Sequence, residues 1–170
     1  MNRLDEINGA DLPRCIQLLG GVFEHSPWVA EHAATARPFA SGEHLHRTML
    51  QAVMQAGVDK RLALIRAHPE LAGREAVEGG MTPDSTSEQG RLGLTALPKA
   101  EFDRITQLNR AYREKFGFPC IVALKLHDTR DTVLAQMAQR LANDRDTEIA
   151  NALEQIGHIT RARVDRLLET

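Results

Sequence analysis

The chain has 170 residues and a formal net charge of -2, with 42% hydrophobic and 26% charged residues, a composition typical of one globular domain. Such a charge gives no general attraction to nucleic acid or to an anionic membrane, and 4% aromatic residues are too few for platforms that stack single-stranded bases. No apolar run approaches the ~18 residues of a membrane span, and the first residues form no apolar signal region. We therefore expect a cytoplasmic protein that binds neither nucleic acid nor membranes.

Helix signals follow one another along the first part of the chain. Asp11 is placed to cap a helix, and Ser26-Pro27 is typical of a helix start. Pro69 biases His68 away from the helical region and ends a helix behind it. Together with the apolar periodicity, these signals predict helices over about 11–20, 26–36, 41–56 and 59–68.

The second part of the chain begins with a predicted loop over 71–83, rich in glycine and proline. Ser85-Thr86-Ser87-Glu88 matches a capping box with Ser85 as the N-cap. A strong amphipathic helix is predicted from Pro98 to Gly117, followed by an apolar run that is either a lone strand or a buried extended segment. Two more helices fit 129–143 and 146–168. The fold class is therefore all-α: a single-domain helical bundle over 1–170 with one short extended segment near 119–125.

No residue pattern points to a metal or to an organic cofactor. Cys15 and Cys120 have no metal-like spacing and are expected to be free thiols. His44 and His46 point in different directions on a helix, and the other histidines apart from His68 lack a partner at ligand spacing. Phosphate-binding and dinucleotide-binding glycine loops and the nucleophile elbow are missing from the sequence.

Three stretches remain as candidates for chemistry: His68 at its stiff corner, Ser85–Gln89, and the run that follows Phe116-Gly117-Phe118-Pro119. Histidine is the side chain best suited to moving protons near neutral pH. All three stretches lie at helix ends, where backbone groups and the helix dipole suit a small polar anion. Each stretch also has a purely structural explanation: His68-Pro69 is a turn, Ser85 and Glu88 form a helix cap, and Gly117-Phe118-Pro119 is a helix stop.

These stretches, in this order, resemble the decarboxylases of uric acid degradation that act on 2-oxo-4-hydroxy-4-carboxy-5-ureidoimidazoline, abbreviated OHCU. The resemblance spans nearly the whole chain. It is specific because several motifs occur together at these separations, whereas any one of them alone would be weak. The motifs are Pro27 with the apolar segment after it, Arg37-Pro38-Phe39, His68-Pro69-Glu70-Leu71-Ala72-Gly73, Ser85-x-x-Glu88-Gln89, Leu108-Asn109-x-x-Tyr112 and Lys115-Phe116-Gly117-Phe118-Pro119.

The resemblance implies a cofactor-independent, all-helical carboxy-lyase, commonly a homodimer, which converts OHCU to (S)-allantoin and carbon dioxide. It implies catalytic roles for His68 and Glu88, and leaves open which of them donates a proton and which destabilises the ground state. Glu70, although adjacent to His68, is not the implied partner of the histidine. Substrate contacts are implied for Pro69, Ser85, Gln89, the backbone of Cys120, Ile121, Val122, Ala123 and Leu124, and Arg163, with Arg161 as the competing alignment.

The sequence departs from the family pattern in two places. The family often has Ala-Gly-Leu after Glu-Gln, where this chain has Arg91-Leu92-Gly93-Leu94, and it often has an aromatic residue at the position of Cys120. Both departures are expected to change the wall of the site rather than its side-chain chemistry. The residues alone leave two rival functions open: another small-molecule lyase or hydrolase that uses a His–Glu pair, and a non-catalytic helical interaction module. Nucleic-acid binding is a weaker third.

Overall fold

The structure is a computed structural model that describes residues 1–170 apart from the side chain of Glu75. Across the described residues no β-strand occurs, so the predicted all-α class is confirmed. None of the described helices combines the length and the apolar character needed to cross a bilayer. The helices are α1 (Arg3–Gly9), α2 (Leu12–Leu19), α3 (Pro27–Ala34), α4 (Gly42–Gln55), α5 (Val58–Arg66), α6 (Arg74–Glu78), α7 (Pro83–Arg91), α8 (Lys99–Phe116), α9 (Arg130–Arg140) and α10 (Arg145–Glu169).

The helices divide into two compact units. The terminal unit comprises Met1–Ala67 and Gly157–Thr170, and the central unit comprises His68–Ile156. The boundary at 156–157 falls within α10, so residues 145–156 of that helix belong to the central unit and the rest to the terminal unit. The single domain predicted over 1–170 stays a prediction.

In the terminal unit, helix starts are set by local signals. Asp11 and Ser41 cap α2 and α4 as their positions indicate, because each side chain accepts from a backbone N–H in the first turn. Ser26 is the N-cap residue of α3, but its hydroxyl donates to the carbonyl of Glu24 instead of capping the helix. Arg37 donates to the carbonyls of Ile7, Ala10 and Ala34, which explains the Arg-Pro-Phe motif as a structural brace.

In the central unit, α8 is the long amphipathic helix that the sequence predicts. Ile105, Leu108 and Tyr112 are buried along one stripe. Gly117 ends the helix in the left-handed conformation, with φ of 80°, which favours glycine. The reversal brings Phe118 against Tyr112, with ring centroids 5.9 Å apart.

Two predictions for the central unit are wrong in detail. The loop predicted over 71–83 contains the short helix α6. The predicted N-cap Ser85 lies inside α7, because Thr82 caps that helix with its hydroxyl 3.3 Å from the N–H of Ser85 and Pro83 occupies the first turn. The run at 120–123 is a buried extended segment rather than a strand, and a one-turn 3-10 helix follows it at Leu124–Leu126.

Candidate functional site

His68 lies at a corner of the central unit that contains no regular secondary structure. Its side chain is 5% exposed, and the half-buried Pro69 follows it. A turn comes next, in which the N–H of Gly73 donates to the carbonyl of Glu70 at 3.3 Å. Ala72 has a φ of +48°, an uncommon left-handed conformation for a residue with a Cβ. A Cβ at Gly73 would meet the Cβ of Glu70 at 2.7 Å, so this tight turn requires glycine.

Buried amide side chains hold this corner by its backbone. Gln89 accepts from the N–H of Ala72 at 2.9 Å and donates to the carbonyl of Glu70 at 3.2 Å. Asn109 donates to the carbonyl of Leu71 at 2.8 Å. Three consecutive residues after Pro69 are therefore tied to α7 and α8. Because both polar ends of the Gln89 amide are used in this way, Gln89 supports the corner, and its substrate contact stays a prediction.

Ser85 and Gln89 share the buried face of α7, one turn apart, and are 4% and 3% exposed. Glu88 lies in the same turn and is half-buried. Since Thr82 supplies the cap of α7, neither Ser85 nor Glu88 is needed to begin the helix. The explanation of Ser85 as the N-cap of a capping box with Glu88 is therefore wrong, and the functional roles implied for these two residues stay a prediction.

The segment 120–124 is buried throughout, and side chains from three helices bond to its backbone. Gln155 of α10 accepts from the N–H of Ala123 at 2.8 Å. Arg140 of α9 donates to the carbonyl of Ile121. Arg91 of α7 donates to the carbonyl of Leu124, and to that of His127 at 2.8 Å. These three backbone groups of the segment are therefore engaged within the protein.

Helix α7 connects the predicted site stretches within the central unit. Gln89 bonds to the corner that carries His68, and Arg91, two residues further on, bonds to the segment 120–124. Ser85 and Glu88 lie on the same helix. The structure thus links the three stretches that the sequence singles out. Arg91, a departure from the family pattern, forms one of the links.

A buried ion pair lies behind the segment 120–124. Arg140 and Glu148 are 2.7 Å apart, and their side chains are 6% and 0% exposed. Tyr112 donates its hydroxyl hydrogen to Glu148 at 2.6 Å, and Asn143 and Asn151 donate to the other carboxylate oxygen. Burial opposes ionisation of Glu148, but these hydrogen bonds and the charge of Arg140 outweigh it, so its pKa lies below the ordinary value.

Cys120 begins the segment and is a buried, free thiol. Burial raises its pKa to about 12, partly offset by the charge of Arg140. The thiol is therefore protonated at neutral pH, and since the thiolate is the nucleophilic form, Cys120 is unreactive. Its place in the candidate site rests on its backbone.

Arg163 belongs to the terminal unit, where it is 3% exposed and pairs with Glu24 at 2.9 Å. It also donates to the carbonyl of Val22 at 3.2 Å. The competing residue, Arg161, forms a half-exposed pair with Asp165 one turn further along the same helix. Arg163 is therefore buried and held by two partners, whereas Arg161 is half-exposed, and which of the two belongs to the site stays a prediction.

The remaining histidines show no metal-binding arrangement among the described residues. His46 is buried in the terminal unit and hydrogen-bonded to Thr160 at 2.9 Å. Burial and the nearby charge of Arg161 lower the pKa of His46 to about 4, so it is neutral at pH 7. His44 accepts from the N–H of Ala40 at 3.1 Å. His127 contacts Thr132 and Gln136 through its two ring nitrogens.

A cavity of about 500 Å³ opens on the corner from the side of α6 and α8. Its lining includes Glu70, Gly73, Asn109 and Arg113. His68, Ser85 and Glu88 are not among its described lining residues. Glu70 forms an ion pair with Arg113 at 2.7 Å there. Glu70 is therefore paired with a residue of α8, and the choice of Glu88 rather than Glu70 as the partner of His68 stays a prediction.

Sequence reasoning missed Arg140, Glu148, Gln155 and Glu24. A signal was available for the first two. Arg140 follows Val133 and Met137 at helical spacing, and Glu148 precedes Ala152 and Ile156 at the same spacing. A charged residue on an otherwise apolar helix stripe is expected to be buried and paired.

Comparison with known proteins gives the family. The model of the OHCU decarboxylase family matches residues 8–165. The 2-oxo-4-hydroxy-4-carboxy-5-ureidoimidazoline decarboxylase of Haloferax volcanii is 37% identical over 161 residues, which cover 95% of this chain and 93% of that protein. A uric acid degradation bifunctional protein of Bacillus subtilis is 38% identical over 164 residues, 96% of this chain but 32% of that protein.

The fold agrees with this assignment. A crystal structure of (S)-allantoin synthase matches with a TM-score of 0.75 and 28% identity, covering 98% of this chain and 54% of that one. The all-helical chain with its His68 corner thus falls in a class of small decarboxylating enzymes. It belongs to the OHCU decarboxylase family and is a carboxy-lyase.

Proposed function

We propose that this protein decarboxylates OHCU to (S)-allantoin and carbon dioxide in uric acid degradation, without a cofactor. The observation that carries the proposal is helix α7, whose Gln89 and Arg91 link the His68 corner to the segment 120–124. The relatives named for OHCU decarboxylation and uric acid degradation, and the (S)-allantoin synthase of similar fold, support this substrate and this product. We further propose that the protein is a cytoplasmic homodimer with one catalytic domain over 1–170.

The proposed step breaks the bond between the ring carbon and the carboxylate carbon. Carbon dioxide leaves, and the electron pair that stays on the ring carbon is accepted by the adjacent C=N and carbonyl system. The nitrogen of the former C=N takes up a proton, the hydroxyl on the decarboxylated carbon loses its proton as that carbon becomes a carbonyl, and a proton enters at one face of the adjacent carbon that carries the ureido group. Because this chemistry uses the acceptor system of the substrate itself, the enzyme has to hold the carboxylate out of the ring plane and deliver the proton from one side.

In this proposal His68 is the acid or base that transfers the proton. Glu88 orients His68 and, because it lies near the substrate carboxylate, destabilises the charged ground state. Ser85, Gln89, Pro69 and the backbone of 120–124 contact the polar edges of the ring and the ureido group. Arg163 pairs with an anionic or carbonyl oxygen of the substrate. The burial of His68 and Ser85 supports these roles, because a site that excludes water strengthens each polar contact.

The function is tested with freshly generated OHCU, because the compound also decays without an enzyme. Purified protein and buffer alone are compared by the rate of OHCU loss and by the circular dichroism of the allantoin formed. We expect a faster rate and (S)-allantoin of high enantiomeric purity, against racemic product in buffer. Equal rates and racemic product in both samples would refute the proposed reaction.

The site is tested separately by soaking crystals with allantoin, which resembles the substrate without its carboxylate. We expect density beside His68 and the backbone of 120–124. Density elsewhere would contradict the site while leaving the reaction intact. The oligomeric state is tested by light scattering coupled to size-exclusion chromatography. We expect the mass of a dimer of the 18.9 kDa chain.

A further inference from the structure

The segment 120–124 poses a problem that helices do not have. Its residues are buried but belong to no strand or α-helix, so no regular ladder satisfies their backbone N–H and C=O groups. At its end the 3-10 turn supplies two backbone bonds, to the carbonyls of Ala123 and Leu124. Side chains supply further partners: Gln155 for the N–H of Ala123, Arg140 for the carbonyl of Ile121 and Arg91 for that of Leu124. Ahead of the 3-10 turn, the direction of the backbone groups depends on Arg140 and Gln155.

Arg140 is the most deeply buried of the three, and its charge is expensive to bury. Removing two charged groups from water is strongly unfavourable, and the attraction between them offsets the lost hydration only when the geometry and further hydrogen bonds are good. Here they are good, because Glu148 is 2.7 Å from Arg140 and accepts from Tyr112, Asn143 and Asn151 as well. A pair of apolar side chains would fill a core at lower cost, so the polar pair is better explained by what Arg140 bonds to.

What Arg140 bonds to is the substrate-facing segment of the proposed site. One guanidinium nitrogen donates to the carbonyl of Ile121, another donates to the hydroxyl of Tyr112 at 3.3 Å, and the third faces Glu148. These partners hold the planar guanidinium in one orientation, and the guanidinium in turn holds the carbonyl of Ile121. A lysine could keep the charge but not this geometry.

We propose that Arg140, oriented by Glu148 and Tyr112, is a positioning residue for substrate binding, which sets the direction of the 120–124 backbone groups that contact the ring and ureido edges. The inference rests on the proposed function. Arg140 does not touch the substrate. It acts through the segment, so its loss weakens ground-state and transition-state binding alike and raises KM with little change in kcat.

The experiment combines kinetics with hydrogen exchange on Arg140→Lys. We expect KM for OHCU to rise about tenfold while kcat stays within about twofold of wild type, since uniform binding is lost. In the protein without ligand, amides of 120–124 are expected to exchange about tenfold faster relative to those of α8, because local opening becomes easier. Arg130→Lys is the matched control: Arg130 lies on the same helix α9 and pairs with Glu101 at 2.7 Å, but its side chain is 35% exposed against 6% for Arg140.

A second variant covers the case in which Arg140→Lys does not fold. Gln155→Leu removes the acceptor of the Ala123 N–H from a half-buried position, and should raise KM in the same way. Its control is Glu154→Leu, an exposed neighbour on α10. A role confined to core stability would lower the amount of folded enzyme at unchanged KM.

The outcomes separate the two proposals. An unchanged KM in the folded variants overturns the inference, whatever the exchange rates. A raised KM with faster exchange confined to 120–124 supports it. Loss of OHCU turnover in the wild-type protein would contradict the proposed function instead, and the exchange comparison, which needs no substrate, would still show whether Arg140 fixes the segment.

Discussion

The corner at 68–73 and the segment at 120–124 are both irregular and both bonded to α7, but side chains of different character hold them. Neutral amides, Gln89 and Asn109, hold the buried backbone of the corner. The segment is held mainly by charged groups, Arg140 with Glu148 behind it and Arg91, together with one neutral amide, Gln155. The ion pair at the corner, between Glu70 and Arg113, is on the surface.

The difference corresponds to the work that each region is proposed to do. The corner, which carries the histidine that is proposed to transfer a proton, is held by groups without net charge. The segment offers only backbone groups to the ligand, and a buried charge pair can fix their direction without titrating near neutral pH. Five predictions, from the largest expected effect to the smallest, test this comparison.

The largest effect is expected from His68→Asn. Turnover of OHCU should fall about 10³-fold, because general acid–base catalysis contributes on that order. The variant should fold normally. The measurement is kcat by circular dichroism of the product, with His32→Asn, an exposed histidine, as the control. Near-normal turnover would show that the catalytic assignment of His68 is wrong.

Glu148→Gln should be next, with a loss of about 3 kcal/mol of unfolding free energy at pH 7, because Arg140 is left buried without its counter-charge. The pKa of Glu148 is lowered in the folded state, so its contribution is complete above the ordinary value of 4.5 and is lost as the pH falls below it. Urea unfolding from pH 7 to pH 3 should therefore show the wild type and the variant converging at low pH.

The control for this pH series is Glu101→Gln, which removes a carboxylate from a more exposed pair with Arg130. Its difference from wild type should be small at every pH. If the gap between wild type and Glu148→Gln stayed constant down to pH 3, the ionised buried carboxylate would not be its source.

Glu88→Gln should lower turnover about 10²-fold and leave the melting temperature nearly unchanged. Thr82→Ala should do the reverse, losing about 1 kcal/mol of stability, because Thr82 rather than Ser85 caps α7. The two variants are compared by kcat and by thermal unfolding. Near-normal turnover of Glu88→Gln would show that Glu88 has a structural rather than a catalytic role.

Gln89→Leu should cost about 2 kcal/mol of unfolding free energy, since the Glu70 carbonyl and the Ala72 N–H lose their partner in buried surroundings. In contrast to the loss in Glu148→Gln, this loss should not change as the pH falls from 7 to 3. Gln107→Leu, an exposed position on α8, is the control in the same urea titrations. A pH-dependent loss would contradict the neutral support of the corner.

The smallest effect is expected from Arg113→Gln, at most about 0.5 kcal/mol. The Arg113 side chain is 54% exposed, so its pair with Glu70 is screened by solvent. Stability is measured at low and at 1 M salt, and the small difference between wild type and variant should vanish at high salt. A loss comparable to that of Gln89→Leu would mean that charge also holds the corner.

Much of the fold follows from local signals. Asp11, Ser41 and Gly117 end or begin helices for reasons that lie within a turn of each residue. The error at Ser85 arose because S-x-x-E is a weak pattern by itself, whereas Thr82-Pro83 just before it places proline in the first turn, the stronger start signal. Helix α6 was missed because its five residues lie between glycines and a proline.

The candidate site is less predictable because its support is long-range. The resemblance to the family singles out His68 and Ser85–Gln89, but no local pattern shows that Gln89 faces the carbonyl of Glu70, 19 residues away. Nor does a local pattern bring Arg140 to Ile121. Partners of this kind depend on how helices pack, and the sequence carries only the indirect sign of a charge on an apolar stripe.

The two cysteines give this protein a reporter of its own unfolding. Cys15 is in the terminal unit and Cys120 in the central unit, and both are buried with a raised thiol pKa. An alkylating reagent needs an accessible thiolate, so each cysteine is labelled only when its surroundings open. Mass spectrometry of the labelled peptides would then time the opening of each unit separately, in the unmodified chain and without an introduced probe.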